Sequence, residues 1–290
     1  MGKPLDNPGS VVMGAAVEAS TLRPDAVVEF ARKKSPTHTT ESFDEETLTG
    51  AAELEFVPFR LADLPLVKLP RENDKPLVTA TEKYAREALE GYKGVRTRLL
   101  KGLANHAPAN HAPAQNGSRT VTVTSVGRSE GKTLTAFNLA CCCAQVENLT
   151  VLLIDGDLRN RSLSKLIGRA QSAGLADVMS GRASCENAVA RTDVPNLYVM
   201  GAGTSDVQST ELFSTQKWSQ VMAWSRHHFK IALVDALSMG EFADFELIAP
   251  ECDGVLMVVR ARSTNREALK MAVERVDASK LIGIVWNASD

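Results

Sequence analysis

TVTVTSVGRSEGKTLTAFNLACCCAQV, residues 120–146, changes character twice. A β-branched run, TVTVTS, gives way to a loop with glycine at 127 and 131, and then to residues that favour helix. The loop closes on Gly131, Lys132 and Thr133, the end of the phosphate-binding pattern GxxxxGK[ST]. The early glycine of that pattern is displaced: its place holds Val126, and glycine follows at Gly127. A strand, a loop and a helix in this order aim backbone N–H groups and the positive end of the helix at phosphate oxygens. Lys132 can then reach the β and γ phosphates, and the Thr133 hydroxyl can ligate Mg²⁺.

Outward from this stretch the pattern repeats. VLLID (151–155), LYVM (197–200), KIALVD (230–235), GVLMVVR (254–260) and LIGIVW (281–286) are short apolar runs of the kind buried on both faces. Helical candidates lie between them, around 162–167, 172–179, 210–227 and 266–277. Alternating β and α predicts an α/β fold, a mostly parallel doubly wound sheet of the P-loop NTPase type, with ligands bound beyond the carboxyl ends of its strands. Two such ends carry carboxylates. Asp155 and Asp157 close one apolar run and Asp235 another, placed to serve a metal ion, its water shell or a nucleophile. Taken singly, each acid could equally cap the helix that follows.

In combination these motifs resemble the bacterial polysaccharide-associated tyrosine kinases, a branch of the P-loop ATPases that includes the MinD and ParA proteins. The family loop TSxxPGEGKT is matched at Thr124, Ser125, Glu130, Gly131, Lys132 and Thr133, and its VLLIDxDLR by residues 151–159. GLADVMSG (174–181), NLYVMGAG (196–203), ELFST (211–215), DGVLMVVR (253–260) and GIVWN (283–287) continue the likeness. The resemblance implies ATP and Mg²⁺ as cofactors, with Lys132, Asp155, Asp157 and Asp235 as catalytic residues. Thr133, Asp157 and Asp235 would serve the metal, and Asp155 would orient or deprotonate the nucleophile. Gly127, Arg128, Ser129, Glu130, Gly131, Lys132, Thr133, Leu134 and Asn287 would line the nucleotide.

The family's ExYRxLRTxL stretch is answered by EGYKGVRTRL (90–99), and in the family its charged positions pair across subunits in a ring. Glu90, Lys93 and Arg96 are therefore candidates for self-association, against the alternative of a solvated helix face. The resemblance also implies a separate membrane partner, a polysaccharide co-polymerase or activator protein. Arg128 and Ser129 replace the family's Pro-Gly, and Ala-Leu-Ser follows Asp235 in place of Thr-Pro-Pro. Gly127 stands where MinD and ParA carry a second, upstream lysine. The tyrosine cluster that ends these kinases is not found after Asn287, and the sequence holds only Tyr84, Tyr92 and Tyr198, for which structural roles are expected. Two readings compete: a protein that hydrolyses ATP or transfers its γ-phosphate to tyrosine, and a non-catalytic nucleotide sensor.

Composition narrows the classes. A formal charge of −2 leaves no overall footprint for nucleic acid. No run approaches the roughly 20 apolar residues that cross a bilayer, and MGKPLDNPGS lacks the apolar core of a signal peptide, so a cytoplasmic location is expected. Cys141, Cys142 and Cys143 point about 100° apart on a helix and are read as packing residues.

The expected organisation is an extended or disordered arm over 1–78, an interface helix over 79–104, a linker over 105–118 built on a tandem NHAPA, and a P-loop domain over 119–290. Within the arm, VPFRLADLPLVKLP (57–70) is read either as a strip on the protein's own surface or as a docking segment.

Overall fold

The computed structural model describes residues 26–29, 60–71, 83–105, 117–240 and 243–287. Among these, nine strands form one sheet: β1 (Ala26–Glu29), β2 (Leu66–Val67), β3 (Arg119–Ser125), β4 (Val151–Asp155), β5 (Val189–Thr192), β6 (Leu197–Met200), β7 (Ile231–Asp235), β8 (Gly254–Arg260) and β9 (Leu281–Asn287). Their spatial order is β1-β9-β8-β3-β7-β4-β6-β5-β2. From β9 to β6 neighbours run parallel; β1 lies antiparallel on β9 and β5 antiparallel on β6.

Helices cover both faces: α1 (Lys83–Asn105), α2 (Lys132–Ala144), α3 (Ser162–Leu166), α4 (Leu175–Met179), α5 (Cys185–Ala188), α6 (Ser209–Phe213), α7 (Gln216–His228), α8 (Asp244–Ile248) and α9 (Arg266–Arg275). The two-residue period of a strand shows why the apolar runs are continuous. Val151 and Leu153 of β4 pack on the side of α1 and α2, while Leu152 and Ile154 pack on the side of α4 and α7. Every residue of β4 and β7 is buried.

α2 is buried on all sides from Thr135 to Ala144, because α1 lies across its outer face. Tyr92, Val95, Leu99 and Leu103 of α1 enter this core, as do Cys141, Cys142 and Cys143. Burial pushes the thiols of Cys142 and Cys143 up to about 12, which keeps them protonated packing groups. Gly102 permits the close approach of α1 to the sheet, since a Cβ there would stand 2.8 Å from Ile282 Cγ2. No described residue lies within 4 Å of a Cβ at Gly94, so its helix cost of about 1 kcal/mol has no steric reason among the described residues.

Three expectations need correction. First, residues 1–78 are not wholly an arm, because β1 and β2 extend the sheet at its two edges. Of the two readings of 57–70, residues 60–70 take the first. β2 pairs parallel with β5, Leu64 and Leu69 are buried, and the Leu69 N–H and Arg71 guanidinium both bond Asp193. Burying each leucine contributes about 1.5–3 kcal/mol.

Second, the helix expected over 210–227 breaks into α6 and α7 at Ser214 and Thr215, the latter taking extended backbone before Gln216. Third, α4 starts three residues later than the pattern at 172 suggests. Gly174 lies so close to the Gly201 carbonyl that a Cβ would overlap it, and the chain turns helical only beyond that contact. Of the linker expected over 105–118, residues 106–116 lie outside the described residues.

Candidate nucleotide site

β3 ends at Ser125, and the loop that follows reaches α2 through two residues with left-handed backbone, Ser129 (φ 58°) and Gly131 (φ 89°). At 131 only glycine fits. The angle favours it, and any Cβ would overlap the side-chain amide of Asn287. At 129 a serine adopts the same class of angle, which costs about 1–2 kcal/mol. The loop thus keeps its shape without the second glycine, at the expense of strain.

Glu130 holds that shape from beneath. Its carboxylate, 6% exposed, accepts the Val126 N–H (2.8 Å) and the Thr264 hydroxyl (2.6 Å), and its carbonyl accepts the Asn287 amide (3.0 Å). Glu130 therefore pins the loop to the segment after β8, and Asn287 closes the same corner from the end of β9. The sequence pattern indicated both positions but not this mutual bracing, and Thr264 gave no signal.

A cavity of about 660 Å³ opens above the loop. Its walls include Gly127 through Leu134, Asp157 and Asn287, together with Asn160, Ser162 and Lys165 from the start of α3 and Leu237 and Ser238 after β7. The second group was not anticipated. Leu237 is drawn in by its carbonyl, which accepts the Thr124 hydroxyl at 2.7 Å.

At the floor, Lys132 Nζ lies 3.3 Å from both Asp157 Oδ2 and Asp235 Oδ1, and 3.4 Å from the Thr133 hydroxyl. The sheet register brings the acids together, because Asp155 and Asp235 are direct partners across β4 and β7. Gly156 allows the turn between Asp155 and Asp157, since a Cβ there would press on Val234 and the Asp235 carbonyl. Burial works against the charge of Lys132, but Asp235 and Asp157 outweigh it and hold the amine above its ordinary pKa. Asp235 is fully buried, which raises its pKa against the pull of Lys132 and Thr133; its Oδ2 has no hydrogen-bond donor among the described residues. A buried carboxylate oxygen left open beside a hydroxyl and a lysine suits a cation with its waters.

Asp155 is also fully buried but does not line the cavity. Its Oδ2 accepts the Ser164 N–H and hydroxyl, both at 2.7 Å, and its Oδ1 accepts the Asp157 N–H at 3.2 Å. Desolvation, then the neighbouring charge of Asp235, push its pKa up to about 7. These hydrogen bonds tie Asp155 to Asp157 and to α3. Asp157 faces the cavity, gripped by the backbone N–H (2.9 Å) and side-chain amide (3.1 Å) of Asn160. Arg159 leads away from the site, to buried Asp244 (3.0 Å), which Ser209 also bonds.

Of the self-association candidates, Lys93 pairs with Glu90 (2.6 Å) on the outer side of α1. Arg96 turns inward and donates to the Cys142 carbonyl (2.9 Å), one of the last carbonyls of α2 that no helical N–H can reach. Among the described residues no helix is long and apolar enough to cross a membrane.

A parallel sheet with a phosphate-type loop at one strand end, a lysine on two strand-end carboxylates and helices on both faces defines a P-loop nucleotide-binding protein. Sequence relatives make this narrower. Over 175 residues the chain is 31% identical to the tyrosine-protein kinase CpsD of Streptococcus pneumoniae, spanning 59% of this chain and 77% of that protein. Over 188 residues it is 30% identical to the kinase of the same name from Streptococcus agalactiae, spanning 63% of this chain and 81% of that protein. A 182-residue stretch is 30% identical to 23% of the succinoglycan biosynthesis transport protein ExoP of Rhizobium meliloti, covering 61% of this chain.

The fold is shared with the kinase domain of the Escherichia coli tyrosine kinase ETK (TM-score 0.65, 19% identity, 77% of this chain and 88% of that one). It is shared also with the VpsO kinase domain (TM-score 0.60, 24% identity, 72% of this chain and 100% of that one). No protein-family model matches the chain. The chain belongs to the bacterial tyrosine-protein kinase family of capsule and exopolysaccharide synthesis, whose members are tyrosine-kinase-like, ATP-binding P-loop proteins.

Proposed function

We infer that the cavity binds Mg-ATP and that the protein transfers the γ-phosphate to a tyrosine of another polypeptide, or to water, within a system that assembles an extracellular polysaccharide. The observation that carries this reading is the contact of Lys132 with Asp157 and Asp235 at the floor of a cavity framed by the loop. A lysine so held is preorganised to exchange its carboxylate partners for phosphate oxygens. The loop amides and Lys132 take the phosphates, and Leu134 and Asn287 stand along the same cavity wall. Asp157, the cavity-lining carboxylate of the three strand-end acids, orients the attacking hydroxyl and accepts its proton.

Thr133, Asp157 and Asp235 are the residues that would hold Mg²⁺, which when bound neutralises phosphate charge. Tyr92 is buried and Tyr198 half-buried, which supports an acceptor tyrosine outside the described residues. The family resemblance supports a cytoplasmic site of action, recruitment by a membrane polysaccharide co-polymerase, and self-association through the exposed Glu90–Lys93 side of α1. Arg96 takes part there only if it gives up its bond to Cys142.

Incubation with γ-labelled ATP and Mg²⁺, counting inorganic phosphate and phosphotyrosine together, tests the reading. Label should appear in one product with the native chain and in neither with Lys132→Met. Bound ATP that yields neither product refutes turnover.

A further inference from the structure

The turn from Asp157 to Ser162 separates two cavities. Asp157, Asn160 and Ser162 face the nucleotide cavity, while Leu158, Arg159 and Arg161 face a smaller one of about 170 Å³. Its far wall holds Ser205 and Val207, the latter 44% exposed and apolar. Arg161 sits on the partition with left-handed backbone (φ 52°), an angle that disfavours any residue with a Cβ. Its N–H bonds the Asp157 carbonyl at 2.8 Å, and its own carbonyl accepts the N–H of Lys165. Arg161 and Lys165 are thus one helical turn apart, Arg161 on the wall of the smaller cavity and Lys165 on that of the nucleotide cavity. Neither side chain has a hydrogen bond or ion pair among the described residues. Two like charges at this spacing repel, and a strained residue bears one of them; both features cost stability and neither serves the packing.

We propose that Arg161 and Lys165, with the cavity behind Arg161, form a docking site for the polypeptide acceptor, one that takes an acidic side chain close to the acceptor tyrosine. This rests on the kinase reading above. The carboxylate of the incoming segment lies between the two cations, and an apolar neighbour enters beside Val207. That arrangement carries the acceptor along the partition toward Asp157. The nucleotide's own phosphates compete for Lys165, which lines the nucleotide cavity, whereas Arg161 belongs to the wall of the second cavity and not to that of the first. Through Arg161 the site selects acceptors by charge apart from the loop that selects the nucleotide.

The test measures binding, so that it does not depend on turnover. With a non-hydrolysable ATP analogue and Mg²⁺ present, fluorescence anisotropy compares a tyrosine peptide flanked by glutamates with one flanked by lysines. The native chain should bind the acidic peptide at least tenfold more tightly, and Arg161→Glu should reverse the order. Arg161→Gly should lose the preference while melting no lower than the native chain, because glycine adopts the angle at 161 freely, which separates docking from misfolding. Equal affinity for both peptides overturns the proposal. So does an affinity for the nucleotide analogue that falls in Arg161→Gly as much as peptide affinity does, for that assigns the pair to phosphate. Loss of phosphotyrosine formation with peptide preference intact would count against the kinase reading and leave the docking site standing.

Discussion

The two ends of α2 do opposite things, although both meet buried groups. At its C-terminal end Cys141, Cys142 and Cys143 fill space under α1, and Arg96 and Asn196 donate to the spare carbonyls of Cys142 and Ala144. At its N-terminal end Lys132 and Thr133 stand against two carboxylates, one with an oxygen that has no hydrogen-bond partner among the described residues. The first end is stable as it stands. The second is a set of charges whose balance improves when phosphate and a cation arrive. Enclosure therefore distinguishes scaffold from site only when read together with hydrogen-bond satisfaction.

Substitution should separate the two ends cleanly, and the largest effect belongs to the packed one. Leu139→Ala, at a fully buried position, should cost about 2–5 kcal/mol in chemical denaturation, with ATP affinity of the folded fraction unchanged. Lys132→Met should act chiefly on function: ATP turnover falls by about 100-fold or more, while the protein stays folded with some loss of stability, because Asp157 and Asp235 lose their counter-charge. A Lys132 variant that unfolds, or a Leu139 variant that folds normally yet fails to bind ATP, would break the contrast.

A third expectation sharpens it through pH. Asp155 titrates near 7 in the fold against 3.8 as an ordinary carboxyl, so the folded state holds its proton more tightly. The stability that proton contributes is complete below pH 3.8 and is lost as pH rises through 7. Without nucleotide, denaturation midpoints of the native chain should fall relative to Asp155→Asn across that window, on the order of 1 kcal/mol per pH unit. A flat difference between the two would remove Asp155 from its buried, charge-opposed setting. The smallest effect is at Ser129. Replacement by glycine relieves the left-handed backbone and should add about 1 kcal/mol to thermal stability, whereas Ser129→Val should lower it.

Most of the sheet was legible because strands buried on both faces leave unbroken apolar runs, and β4, β7 and β8 coincide with theirs. β5 was not, since VARTDV carries an exposed Arg191 and pairs antiparallel at a near-edge position. β2 was hidden in a segment with no sustained period, and its two residues are held by long-range pairing with β5 and by packing of Val67 on the core. In the site, the GKT triplet and the two strand-end carboxylates Asp157 and Asp235 were readable as local patterns. The hydrogen-bond partners of Asp155 and Glu130 were not. Each acid depends on a partner that local spacing cannot supply: Ser164, nine residues from Asp155, and Thr264, 134 residues from Glu130.

The central claim is that the floor formed by Lys132, Asp157 and Asp235 is built for a nucleotide together with its cation. Calorimetric titration of ATP into the native chain, in Mg²⁺ and again in EDTA, tests it most directly. Binding in Mg²⁺ that weakens by about tenfold or more in EDTA, and is lost in Lys132→Met, is the predicted result. Equal affinity in all three conditions would contradict it.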